Sequence, residues 1–373
     1  MSSIANAMPV EFLGQTLYSA PVLDRLIEQL AASRHLSQEE AALAVELLAD
    51  EAVAVTSKAD FLAHLARKGE TAEEIAAFAC SLRAKSIQTA LDCPVGAGEI
   101  LDVVGTGGDH LNTFNISTAA ALVAAAAGAR VAKHGNRAST STSGSADVLE
   151  ALGIPHAQGP EEAARSFAEH GFAFFFAPKY HPAFRHIIPA RKLCAQRGQA
   201  TIFNYLGPLL NPARPTAILV GVPRPDLCEP FARVLQSLGL RRAMVVCGDV
   251  PEEAGALRHI DELSTLGPTT VAEFYHQRGL ACSSLPPTLF PLQAATLHDL
   301  RGGDAQTNAA IIRRVLAGEE RGPKRDVVLL NAAAALFVGN RTASLLAGWD
   351  LAANAIDSGQ AVRKLQELTG RAA

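Results

Sequence analysis

Residues 101–153 read LDVVGTGGDHLNTFNISTAAALVAAAAGARVAKHGNRASTSTSGSADVLEALG. An apolar strand breaks at a glycine turn, runs through a hydroxyl-rich loop into an alanine-rich helix, and returns as a second strand ending in Lys-His-Gly-Asn-Arg. That order builds an anion cradle. Gly105, Gly107 and Gly108 let the backbone approach an oxyanion with no side chain in the way, and Asn115, Ser117 and Thr118 stand where a helix begins, so its free N–H groups face the ligand. Lys133 falls at the carboxyl end of the second strand, where open parallel sheets place their ligand crevice. A glycine cluster after a strand, taken alone, is equally compatible with a plain tight turn.

The rest of the chain divides by pattern. Residues 20–90 carry four helical periods, LDRLIEQLAAS, SQEEAALAVELLADEA, KADFLAHLARKG and TAEEIAAFACSLRAKS. Ser37 and Thr71 are expected N-caps, with Glu74 completing a capping box on Thr71. From Glu99 onward, apolar strands (ILDVVG, ARVAKHG, FAFFFAP, TAILVGV, RAMVVCG) alternate with helices, which predicts a mostly parallel central sheet flanked by helices on both faces. The fold class expected is α/β: a small helical domain over 1–94, its first 15 residues frayed, and a large α/β domain over 95–373. The length of 373 residues suits two domains better than one core.

A formal net charge of −4 with scattered basic residues advertises no nucleic-acid surface. Six cysteines without a CxxC pair disfavour zinc and disulfides and fit a reducing, cytoplasmic setting. AAALVAAAAGARVA is too short and alanine-rich to span a bilayer and reads as a buried helix; no charged-then-apolar leader opens the chain. Further on, Asp261 and Glu262 are adjacent acids after the strand RAMVVCG. Paired carboxylates on a loop suit a hard cation that prefers oxygen ligands; the competing reading is a solvated turn.

GTGGD, NIST, KHGNR and SGSADVLEALG, in this order within one short stretch, resemble the anthranilate phosphoribosyltransferases, whose wider relatives are the pyrimidine nucleoside phosphorylases. The resemblance extends through LSQEEA, FLAHLARKGETAEEIAAF, TIFNYLGPLLNP, DELSTLGPTTVAEF and NAAAALFVGN. It implies transfer of a 5-phosphoribosyl group from phosphoribosyl diphosphate to the amino group of anthranilate, in tryptophan biosynthesis. It places Gly105, Gly108, Asp109, Thr113, Asn115, Ile116, Ser117 and Thr118 around the diphosphate and ribose, with Lys133, His134, Gly135, Asn136, Arg137, Ala138, Ser139, Thr140, Ser141 and Ser145 completing the pocket. Asp261 and Glu262 would hold magnesium, two ions per active site, with Ser117 sharing one; Lys133, Asp261 and Glu262 are the expected catalytic set. Arg191 would grip the anthranilate carboxylate beside Gly105 and Asn136, with Arg185 and Arg197 as competitors. A homodimer joined through the helical domain is implied as well, with segment 183–204 packing back on that domain.

Local alternatives remain for several of these residues. Asn136 can be a turn former, Ser139–Ser143 ordinary loop hydroxyls, and His134 a satisfied strand-end histidine. Two stretches depart from the family pattern: KLCAQRGQATIFN puts about three extra residues between Arg191 and Thr201, with Ala200 where an arginine is usual, and GDVPEEAGALRHIDEL lengthens the loop before the acids. Its Glu252 and Glu253 read as solvated. Rival functions are a pyrimidine nucleoside phosphorylase, which has no diphosphate to clothe in magnesium, and a non-catalytic nucleic-acid-binding homologue, which predicts a degraded cradle and a basic face.

Overall fold

The computed structural model describes residues 19–91, 98–138, 142–252, 255–276 and 279–370. The expected frayed terminus, Ser139, Thr140, Ser141 and Glu253 lie outside the described residues. The chain divides into two compact units, residues 1–74 with 183–202 and residues 75–182 with 203–373.

The first unit holds helices α1 (Ser19–Ala31), α2 (Gln38–Ala49) and α3 (Val55–Lys68), the start of α4 (Ala72–Ala84), and, from further along the chain, α9 (Phe184–Gln196). Ser37 caps α2 with Glu40 reaching back, and Thr71 and Glu74 exchange hydrogen bonds of 3.2 and 2.9 Å. Glu74 also accepts from Leu36 N at 2.9 Å and pairs with Lys68 at 2.7 Å, so one buried carboxylate joins two helix starts. Lys58 is buried too. Its Nζ donates to Asp50 O (2.6 Å) and His186 O (3.1 Å), tying α3 to the end of α2 and to α9. The compact boundary thus falls inside α4, earlier than residue 94. The reason is local: Ile87 N donates to Tyr180 O, and Leu91 packs against Tyr180 and its neighbours, so the chain after Glu74 belongs with the sheet.

The second unit is built on one eight-stranded sheet: β1 (Ile100–Gly105), β2 (Arg130–Gly135), β3 (Phe172–Phe176), β4 (Ala217–Gly221), β5 (Arg242–Pro251), β6 (Leu257–Ile260), β7 (Thr269–Tyr275) and β8 (Ala281–Leu285). The order is β3-β2-β1-β4-β5-β7-β8, with β6 also paired to β5. The first five strands run parallel, whereas β6, β7 and β8 join antiparallel. The remaining helices are α5 (Ile116–Ala126), α6 (Ser145–Leu152), α7 (Pro160–His170), α8 (Ala177–Tyr180), α10 (Phe203–Leu206), α11 (Cys228–Ser237), α12 (Ala305–Leu316), α13 (Pro323–Val338), α14 (Leu345–Asp357) and α15 (Gln360–Thr369).

Nearly every side chain of α5 and α13 is buried, because alanines all round let each helix be packed on every side. Of the apolar run at 119–132, read from the sequence as a buried helix, α5 takes the part up to Ala126, and the rest turns into β2. Among the described residues no helix is long and apolar enough to cross a membrane. From β1 the chain moves through β2 to β3 on one side, then returns to β4 on the other. The gap above β1 and β4 is therefore a topological switch point, where open parallel sheets leave a crevice at their carboxyl ends.

Candidate active site

Gly105 ends β1 and pairs with Gly221, which ends β4. Both glycines are required by what lies over them. A Cβ on Gly105 would sit 2.3 Å from Asp261 Oδ2, and one on Gly221 only 1.6 Å from Asp261 O. Gly248 on β5 likewise leaves room for Glu262 O and Ser264. Three glycines thus let the segment after β6 fold back across the strand ends. Asn331, fully buried on α13, pins it: its Oδ1 accepts from Leu263 N at 3.0 Å and its Nδ2 donates to Leu263 O at 3.1 Å.

This return brings the two acids onto the cradle. Gly107 N donates to Asp261 Oδ2 at 2.7 Å, and Ser117 N, in the first turn of α5, donates to Glu262 Oε1 at 2.9 Å. A carboxylate at a helix N-terminus meets unpaired N–H groups and the positive end of the helix dipole. The backbone donors are thus engaged by the chain's own carboxylates, and the acids are tied to the glycine turn and to α5. Burial pushes the Asp261 carboxyl up to about 7, helped by neighbouring Asp109. Burial and then Asp261 push Glu262 well above the usual carboxylate range, against the pull of Lys133.

Lys133 does not stand free at the strand end. It is 1 % exposed, its Nζ donates to Val103 O, and its countercharges are Asp102 and Glu262. Burial lowers the ammonium's pKa while both acids oppose the shift. Asp102 is fully buried in β1 and is raised to about 6 by burial, with Lys133 and Asn211 pulling it back. It accepts from His134 N (3.2 Å) and Asn211 Nδ2 (2.8 Å), and Asn211 also donates to Ala132 O at 2.7 Å. The lysine is thus one member of a buried polar network under the cradle and not a lone point charge.

The other expected residues fall into three groups. Gly107 and Gly108 adopt left-handed φ of 73° and 91°, which shapes the turn, and Asp109 Oδ1 accepts from Leu111 N at 3.2 Å. Thr113 forms a bridge with Arg301. Asn115 precedes α5 without capping it, Ile116 lies in the core with its N–H bonded to Phe114 O at 2.7 Å, and Thr118 is buried in the first turn. The second group winds around the start of α6. Asn136 O accepts from Ala146 N (3.1 Å) and Ser145 Oγ (3.3 Å); Ala138 N and Gly144 N both donate to Asp147. Gly135 leaves space for Ser145 and Phe174. Arg137 turns outward to Asp147 and Glu150 at 2.7 and 2.8 Å, so its guanidinium braces α6.

Arg191 and His134 make up the third group. Arg191 is on α9 in the first unit, where burial lowers its guanidinium pKa. His134 is buried against His181, ring centroids 5.3 Å apart and edge-on. Burial pushes His134 down to about 3 and His181 to about 4, so both rings are neutral and neither is a proton donor at neutral pH.

Asp102, Asn211 and Asn331 went unremarked in the sequence, yet one signal was there. An aspartate inside the apolar strand ILDVVG is buried, and a buried charge requires a partner. As a metal site the donors are hard oxygens: two carboxylates and the Ser117 hydroxyl. No group of three His, Cys, Asp or Glu able to hold an ion occurs among the described residues. Such sparse ligation fits magnesium, which keeps several waters and takes its remaining ligands from substrate phosphates.

The chain matches two family models, "Glycosyl transferase family, a/b domain" over residues 97–362 and "Glycosyl transferase family, helical bundle domain" over residues 24–86. It is 42 % identical over 347 residues to an anthranilate phosphoribosyltransferase of Methanosphaerula palustris, covering 93 % of this chain and 98 % of that one. A second, from Methanocorpusculum labreanum, is 47 % identical over 308 residues, covering 83 % and 86 %. Among solved structures, the anthranilate phosphoribosyltransferase of Thermus thermophilus superposes with a TM-score of 0.82 at 40 % identity, covering 92 % of this chain and 98 % of that one. The Saccharomyces cerevisiae enzyme in complex with PRPP and Mg superposes at 0.80 with 28 % identity, covering 94 % and 97 %.

Proposed function

The chain belongs to the anthranilate phosphoribosyltransferase family, and on that premise we propose how its own residues move a phosphoribosyl group from its diphosphate to the amino nitrogen of anthranilate. The observation that carries this reading is the meeting of Asp261 and Glu262 with the N–H groups of Gly107 and Ser117, motifs separated by about 150 residues of chain. Backbone N–H donors for an anion and carboxylates for a cation, gathered on one surface, fit a metal-clothed diphosphate. That arrangement gives a nucleoside phosphorylase, which has no diphosphate to clothe in magnesium, no use for the acid pair. The match over 93 % of this chain to an anthranilate phosphoribosyltransferase likewise favours the enzyme reading over a nucleic-acid-binding homologue.

The glycine turn and the first turn of α5 hold the donor's oxyanions, while Asn136 and Ser145 bound the pocket on the α6 side. Asp261 and Glu262 hold magnesium, two ions per site, with the Ser117 hydroxyl sharing one. Bound there, magnesium neutralises the charge that builds on the departing pyrophosphate. Lys133 and Asp102 keep the floor of the site polar and rigid. As the C1–O bond breaks, the ribose gains oxocarbenium character and accepts the arylamine from its open face, so alignment supplies most of the rate. The nitrogen of anthranilate is largely unprotonated at neutral pH, and His134, its pKa pushed down to about 3 by burial, is too weak a base to take a proton from it. Arg191 supplies the bidentate contact to the anthranilate carboxylate. The active molecule is a homodimer joined through the helical unit. It works in the cytoplasm, a reducing setting that suits the free thiols Cys80, Cys194, Cys228, Cys247 and Cys282.

Replacing Asp261→Asn and Glu262→Gln together tests the metal reading. Loss of anthranilate fluorescence on adding donor should slow by about a hundredfold or more, with thermal unfolding little changed. Unchanged rates at limiting magnesium would remove the acids from the site.

A further inference from the structure

Asn308 lies on α12, far in sequence from every cradle motif, and is 1 % exposed although its side chain is an amide. Its Nδ2 donates to Asn115 Oδ1 at 2.9 Å, and its Oδ1 accepts from Gly303 N at 2.8 Å. Asn115 carries the connection onward, its Nδ2 donating to Ser143 O at 3.0 Å. Thr142 Oγ1 closes the ring with a 2.9 Å bond to Gly303 O. One buried amide therefore joins the residue ahead of α5, the serine loop ahead of α6, and the loop ahead of α12.

The third of these loops is a splint along the cradle. Phe114 N donates to Leu300 O and Gly302 N to Asn112 O, at 3.2 and 3.0 Å, with the Thr113–Arg301 bridge between them. The fit is tight: a Cβ on Gly302 would sit 2.5 Å from Asn308 Oδ1 and 2.6 Å from Phe114 Cα. Both ends of the Asn115 amide are thus engaged within the protein, so that side chain spaces the loops, leaving contact with an anion to the backbone around it.

We infer that Asn308 is a positioning residue for donor binding, acting through Asn115 to hold the first turn of α5 and the serine loop at the separation the diphosphate requires. The inference rests on the cradle being the donor site. A buried amide bonded on both sides has one orientation, and a helix start already held to Thr142 and Ser143 need not be brought there at the expense of binding energy. Without that hold, the donor would have to assemble its own pocket. Donor affinity would fall, while the anthranilate KM and the chemical step of the filled site would change little.

The experiment is calorimetric titration of phosphoribosyl diphosphate with magnesium, alongside steady-state kinetics, on Asn308→Ala, Asn115→Ala, their double variant, Thr142→Val and Asp261→Asn. Asn308→Ala is expected to weaken donor binding about tenfold, a loss of order one buried hydrogen bond, with kcat within about threefold and the anthranilate KM unchanged. The double variant should bind no more weakly than Asn308→Ala alone, since residues acting through one another are not additive. Thr142 is exposed, so Thr142→Val tests the same ring where folding is not at stake; it should raise the donor KM about twofold to fivefold. Full donor affinity in Asn308→Ala and Thr142→Val, or multiplying losses in the double variant, would overturn the role of Asn308. If Asp261→Asn also kept full affinity, the cradle reading itself would fail; if Asp261→Asn alone lost it, only the role of Asn308 would fall.

Discussion

A histidine beside a lysine and a glycine at a strand end invites an acid–base role, and His134 shows why burial decides against it. With no water to stabilise a charge and His181 edge-on beside it, the ring is held neutral. The sign of the stability effect follows. Both rings have folded-state pKa values, about 3 and about 4, below the unfolded value near 6.5. As pH falls below about 6.5 the unfolded chain takes up protons that the folded one refuses, so stability is lost down to pH 4 at about 1.4 kcal/mol per unit for each histidine. Urea midpoints at pH 7 and pH 5 should therefore drop more for the wild type than for the His134→Asn, His181→Asn double variant. Equal drops would mean that the rings are not held neutral. At this scale the sequence offered candidates for the cradle but not the directions of their side chains. Lys133 and Arg137 are both turned to carboxylates, Asp102 and Asp147, that lie elsewhere along the chain.

Helix α5 and strands β1 to β5 could be read from the sequence because each carries its own period or apolar run, and the caps at Ser37 and Thr71 are local chemistry. The antiparallel additions escaped. Strand β8 reads ACSSL, mostly exposed, and is a strand only because β7 offers it an edge. The longer loop before the acids proves to be a hairpin of β5 and β6, and it has work to do: Arg258 on β6 donates to His110 O at 3.0 Å and Asp109 O at 3.4 Å, while pairing with Glu252. It thus clips the outer end of the glycine turn, where His110 and Asn112 hold left-handed φ of 55° and 56°. Arg258→Ala should raise the donor KM about threefold, the value of one partly exposed hydrogen bond, and leave the anthranilate KM alone. A donor KM unchanged in initial-rate measurements would make the hairpin a bystander.

For the molecule as a whole, the helical unit exposes Leu43, Val55 and Ile188 at 37, 40 and 42 %. Covering such side chains with a second copy is the simplest use of apolar surface on a small unit that carries little of the catalytic machinery. Sedimentation velocity is expected to show twice the chain mass for the wild type, and a shift to the single-chain mass for Leu43→Lys with Ile188→Lys. A wild type that runs as a single chain at micromolar concentration would end the dimer proposal.

The amino-acid order alone carried the helices, the parallel strands, the glycine turn and the adjacency of the two acids, because glycine turns, capping residues and apolar periods act within a few residues of themselves. What only the tertiary structure decided was that Asp261 would lie across Gly105 and Gly221, that Asp102 would answer Lys133, and that Asn308 would reach Asn115. Those contacts join chain segments from about 30 to more than 190 residues apart. Their partners are chosen by the strand order and by the space three glycines leave free, and neither quantity exists until the sheet has formed.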